Sequence, residues 1–169
     1  MASAYFFDTS ALLPRFLKGA LGSQWVAQIC ADDQRLIAIA EITETEIASS
    51  LNQLVRGGTL RKKVVDESLK VLWSQVDKGA YFIIPVTSTI VRRAADLCSF
   101  HSLRGMDALQ LACALSLRDD VRTDRTLHSA LADVLFDDPI FLTEDNKLPD
   151  AAIAEGFVID TPINHPSGS

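Results

Sequence analysis

The sequence predicts a three-layer α/β/α domain with a central, mainly parallel sheet of about five strands. Three observations carry this expectation. Short apolar runs such as Tyr5–Phe7, RLIAIA over 35–40 and YFIIPV over 81–86 lack the polar alternation of a half-solvated strand, so they read as strands covered on both faces. Each is followed by a segment with apolar residues at helical spacing, and repeated strand–helix units imply parallel strands joined by right-handed crossovers. At 169 residues, 48% hydrophobic and 22% charged, the chain can fill one core, and no break in composition divides it. One domain is expected over 1–161, with a disordered tail over 162–169.

The first strand, in AYFFDTSALL over 4–13, stops at Asp8, and Thr9 or Ser10 can cap the helix after it. Strand carboxyl ends bind ligands in open α/β sheets, although an aspartate there also serves as a plain cap or turn residue. Residues 14–33 read as a helix and connection with Trp25, Val26 and Ile29 as its core stripe. The second strand, 35–40, ends at Glu41, Glu44 and Glu46. Thr43 and Glu46 have the spacing of a capping box, while the helical arc of Ile47, Leu51, Leu54 and Val55 puts Glu46 at a margin suited to a cleft lip. Both readings stand on the sequence.

Gly57-Gly58 closes that helix and a second runs from Thr59 to about Asp77, making a helical hairpin. Arg56, Arg61, Lys62 and Lys63 sit at its bend, as a solvated tip or as phosphate contacts. The third strand, 81–86, leads into a helix capped by Thr87 or Ser88 and ending near Phe100. LRGMDALQLACALSL over 103–117 then predicts a helix buried nearly all round, with Asp107 in its first turn. A carboxylate there complements the helix dipole, but in so apolar a helix an inward charge needs a partner, either Arg104 or a cation. Residues 118–138 are the least legible, with solvated acids and a short helix expected around 127–135. PIFLT over 139–143 is a fourth strand stopping at Glu144 and Asp145; a short helix over 148–155 and an edge strand over 157–159 complete the chain.

Composition excludes several classes. The apolar runs are too short to span a bilayer and the N-terminus has no signal-peptide pattern, so a cytoplasmic protein is expected. Cys30, Cys98 and Cys113 are odd in number and far apart, which argues against a disulfide framework or a zinc site. A net charge of −6 argues against a uniformly basic nucleic-acid surface but leaves room for a local one. Neither a Walker loop nor a Gly-rich dinucleotide turn occurs. An aspartyl phosphatase would want a second aspartate where Ser10 stands, and a receiver domain would want one at the end of the third strand, where Pro85, Val86 and Thr87 stand.

What remains is a set of carboxylates, Asp8, Glu46, Asp107 and Asp145, at strand ends and helix starts. They are hard oxygen ligands suited to Mg²⁺ or Mn²⁺. Two carboxylates ~4 Å apart repel by roughly 4 kcal/mol at an effective dielectric near 20, so such a cluster calls for cations. Divalent ions held this way promote phosphodiester cleavage without a protein nucleophile.

The four segments FDTSALL, EITETEIASSL, LRGMDALQLACAL and FLTEDNKLPDAAIAEGF, in this order over nearly the whole chain, resemble the PIN-domain family, in particular VapC-like toxins of bacterial toxin–antitoxin pairs. The resemblance implies a Rossmann-like α/β/α fold and a Mg²⁺- or Mn²⁺-dependent endoribonuclease with Asp8, Glu46, Asp107 and Asp145 as its acidic quartet. It further implies that Ser10 and Thr143 hydrogen-bond near the metal site, and that the chain forms a homodimer neutralised by a small antitoxin packed on the helical hairpin. Two departures stand out. The 118–138 stretch is longer than the usual link, and Glu144 beside Asp145 leaves open which of the two faces the metal. The competing reading is a non-catalytic protein-binding module of the same fold, its acids serving only as caps; metal dependence separates the two.

Overall fold

The computed structural model describes residues 2–123 and 134–165. Five strands, β1 (Ala4–Phe7), β2 (Leu36–Ala40), β3 (Phe82–Ile84), β4 (Ile140–Leu142) and β5 (Ile159–Asp160), form one sheet in the order β3-β2-β1-β4-β5, every pair parallel. The chain moves outward from β1 through β2 to β3, then crosses back to β4 beside β1. The order therefore reverses between β1 and β4, and their carboxyl ends flank the crevice that such a switch point creates.

Both faces of the sheet are covered, which is why its strands carry continuous apolar runs. Phe6, Ala38 and Phe141, in register across three strands, point into one core with α5 (Ser88–Phe100), α6 (Gly105–Thr123) and α7 (Leu148–Ala154). Phe7, Ile39 and Leu142 point into the other, with α2 (Ser23–Ala31), α3 (Ile42–Arg56) and α4 (Lys62–Asp77). Fully buried leucines such as Leu51, Leu72, Leu111 and Leu115 each contribute roughly 1.5–3 kcal/mol of burial. Helix α6 is enclosed as its composition predicts, and Gln110 and Arg118 are its buried polar residues.

Several local expectations are corrected. The segment 14–33 is a connection and a helix, as expected, with the helix confined to its second half. After α1 (Thr9–Leu12), Leu13–Phe16 forms a 3-10 turn around Pro14, and α2 begins only at Ser23. The reason is Gly22, whose φ of +72° stops a helix from running through, and whose missing Cβ leaves room for the Pro162 carbonyl, 2.4 Å from where that carbon would lie. The tail expected from Pro162 is ordered in its first part. Pro162–Asn164 form a 3-10 turn, and the His165 ring stacks on Trp25 at 3.9 Å while its Nε2 lies 2.9 Å from Asp160. Residues 166–169 lie outside the described residues.

Helix α4 starts at Lys62 rather than Thr59, because Gly57–Leu60 form the hairpin turn; its basic residues are exposed, and Lys62 pairs with Asp66. Phe157 packs in the core against Phe141 and under Arg118, so the last strand begins at Ile159. Helix α6 continues to Thr123; Asp119 and Asp138 are exposed to solvent as expected, and form surface pairs with Arg93 and Arg122. The helix expected around 127–135 falls, up to 133, outside the described residues. Among the described residues, no helix is long and apolar enough to cross a membrane.

Candidate active site

Asp8 follows the last residue of β1, and its N–H donates to the Leu142 carbonyl of β4 at 3.0 Å, fixing it on the switch crevice. Its carboxylate does two jobs. Oδ1 accepts the Ala11 N–H at 2.9 Å as the cap of α1, and the Ser10 hydroxyl at 2.7 Å. Oδ2 accepts the Thr143 hydroxyl at 2.8 Å. Burial, aided by the charge of Asp145, pushes the Asp8 pKa up to about 6 against the pull of these three donors. An acid held this way is expensive to ionise without a cation.

The two hydroxyls also build the loop after β4. Ser10 Oγ accepts the Glu144 N–H at 2.8 Å and Thr143 Oγ1 accepts the Asp145 N–H at 3.0 Å, while both donate to Asp8. Asp145 Oδ1 in turn accepts the N–H groups of Lys147 and Leu148 at 2.7 and 2.9 Å, fixing the loop that enters α7. Asp145 lines the cleft with Asp8. Glu144 is not among the cleft residues; one of its oxygens is buried without a partner among the described residues, and burial raises its pKa.

Glu46 is not engaged in a capping box. Helix α3 begins with no side-chain cap, and Thr43 is fully buried with its hydroxyl accepting from Gln110 at 3.1 Å. Glu46 faces the cleft instead, and its Oε2 accepts from the Thr9 hydroxyl at 2.5 Å and from Gln110 Nε2 at 2.6 Å. Asp107, in the first turn of α6, is half-buried; its pKa is raised by burial and by the charges of Asp145 and Glu46, with the backbone N–H and guanidinium of Arg104 pulling the other way. Arg104 itself is exposed.

Gln110 is the residue that sequence reading passed over. It is 3% exposed, and its amide nitrogen faces Thr9, Thr43 and Glu46, linking three elements at the site. The signal was present: it stands one turn after Asp107 as a lone amide in an apolar stretch, where a buried polar group needs partners.

The structure thus gathers Asp8, Glu46, Asp107 and Asp145 with Ser10 and Gln110 around one cleft of about 200 Å³ at the carboxyl end of the sheet. Among the described residues, no three His, Cys, Asp or Glu side chains converge tightly enough to chelate an ion on their own. The donor set nonetheless fits Mg²⁺ or Mn²⁺, which keep several waters and need only one or two direct carboxylates. Burial, with a smaller addition from neighbouring acid charges, raises the pKa of Asp8 and Asp107, and a bound cation would favour their ionised forms.

The profile of the PIN domain matches residues 5–153, a span that contains all four carboxylates. The chain belongs to the PIN domain family. Two solved structures share its fold. The crystal structure of VapBC2 from Rickettsia felis, bound to a DNA fragment from their promoter, is similar with a TM-score of 0.58 and 12% identity, over 94% of this chain and 98% of that one. PAE2754 from Pyrobaculum aerophilum is similar with a TM-score of 0.55 and 17% identity, over 94% of this chain and 85% of that one. No curated protein sequence matches the chain. In this PIN domain the switch crevice, the acids and the hydroxyl links of the β4 loop coincide in one place.

Proposed function

We propose that this PIN domain is a divalent-metal-dependent endoribonuclease acting as the toxin of a toxin–antitoxin pair. The observation that carries the reading is the convergence of four carboxylates from four separate segments on one cleft at the sheet switch point. Asp8, Glu46, Asp107 and Asp145 would hold Mg²⁺ or Mn²⁺, which when bound supplies Lewis-acid polarisation of a phosphodiester and a lowered pKa for water. Asp8 is fixed by Ser10, Ala11 and Thr143, so its orientation does not depend on substrate. Glu46 keeps Oε2 on Thr9 and Gln110, which presents its other oxygen to orient an attacking water. Asp107, in the first turn of α6, would complete the ligand set from the opposite helix layer.

Membership of the family and the likeness to VapBC2 support a partner antitoxin, and a homodimer belongs to the same reading. Val64 and Val71, seven residues apart on one face of α4, are exposed, and they give the hairpin an apolar surface for the antitoxin helix. The compact PIN domain over 1–161 and a cytoplasmic location belong to the same reading.

The test is cleavage of a mixed-sequence single-stranded RNA with Mg²⁺ or Mn²⁺ and with EDTA, by wild type and by the Asp8→Asn/Asp107→Asn double variant. Cleavage that needs metal and disappears in the folded variant is expected; metal-dependent cleavage retained by the variant overturns the site. A second reading, a protein-binding module, draws on the fact that Asp8 caps α1 and Asp145 ties the loop before α7. A wild type inert toward RNA in every metal would favour it.

A further inference from the structure

A second groove, of about 410 Å³, opens beside the carboxylate cleft. Phe100, His101 and Ser102, at the end of α5 and beyond it, form one wall, and Asn146, Lys147 and Asp150 form the other. Both walls continue directly into the site. Asn146 and Lys147 follow Asp145, and the loop after Phe100 leads to Asp107 in α6.

We propose that this groove is a binding subsite for single-stranded RNA, holding an unpaired nucleotide next to the scissile position. The inference rests on the nuclease reading above. Three features carry it.

Phe100 is 80% exposed, the most exposed of the large apolar side chains described. Such a ring at the mouth of a polar groove is a stacking platform, and any unpaired base has a face to offer it. Base stacking requires a base already out of a duplex, which selects single strands.

Lys147 supplies the phosphate contact. It is exposed and, among the described residues, forms no ion pair. The backbone N–H of Lys147 donates to Asp145 at 2.7 Å, so the loop that carries the cation is tied to the carboxylate. Size and placement complete the case. The volume lies within the range of small-ligand sites, roughly 300–1,000 Å³, and His101 is held against the wall by Glu155 at 2.8 Å.

The experiment is fluorescence anisotropy with a labelled 12-nucleotide single-stranded RNA on the full chain in EDTA, across a salt series, for wild type, Phe100→Ala, Lys147→Ala and the remote control Lys78→Ala. Thermal melts confirm that the exposed substitutions leave the fold intact. Phe100→Ala is expected to weaken binding roughly tenfold. Lys147→Ala is expected to weaken it and to reduce the slope of log affinity against log salt by about one, with Lys78→Ala unchanged. Wild-type affinity and slope in both groove variants overturn the subsite while leaving the nuclease reading intact, since that is judged by metal-dependent cleavage. Equal binding of the same sequence as a duplex overturns the single-strand assignment. Failure of the wild type either to bind or to cleave RNA overturns both.

Discussion

Gln110 Nε2 donates to Glu46 Oε2 at 2.6 Å, tying the buried helix α6 to the acidic margin of α3. Gln110→Ala removes a donor from a charged acceptor and leaves Thr43 without its partner. The expected loss is roughly 1–3 kcal/mol of stability in urea unfolding. Cleavage kcat should fall with KM nearly unchanged, because Glu46 loses its orientation rather than its contact with substrate. Gln110→Glu, which puts a like charge beside Glu46, should lower kcat further.

Asp8 makes stability depend on pH in a definite direction. Its pKa is raised from 3.8 to about 6, so between those values the native state binds a proton more tightly than the unfolded chain does, and stability falls as pH rises through that window. Asp8→Asn removes the titration. In EDTA, the stability difference between Asp8→Asn and wild type should move in favour of the variant by up to about 3 kcal/mol from pH 4 to pH 7. Paired urea titrations at the two pH values read this directly, and a pH-independent difference would show that Asp8 ionises freely.

Metal binding is checked without any substrate. Mn²⁺ should raise the melting midpoint of wild type by mass action and leave Asp107→Asn nearly unmoved. In EDTA the variant should melt at the same temperature as wild type or above it, because Asp107 sits in the field of Asp145 and Glu46. A variant that is simply less stable, together with a wild type that ignores Mn²⁺, would make Asp107 structural.

Gly22 holds the end of the chain. Gly22→Ala imposes a side chain at φ +72° and drives its Cβ into Pro162. The 3-10 turn over Pro162–Asn164 should lift away and separate His165 from Trp25. A change in Trp25 emission is the readout, with a loss of at least about 1 kcal/mol in stability.

Much of this was legible in the residues. Apolar runs that stop at acids marked β1, β2 and β4, and the unbroken apolar composition of α6 announced its burial, because burial on both faces leaves no room for polar alternation. Asp8, Glu46, Asp107 and Asp145 were named from position alone, yet position could not separate a cap from a cleft residue. Only packing decided that Thr43 turns inward to Gln110, so that Glu46 faces the cleft, and that Asp145 rather than Glu144 lines it.

The physical reason is the range of the interactions. Strands and helices arise from periodicity and caps, which act over a few residues and are written locally in the chain. The site depends on contacts such as Thr143 to Asp8 and Gln110 to Glu46, which join residues far apart in sequence. The sequence determined which elements form and which acids end them; the closing of β4 against β1 determined which of those acids share a cleft.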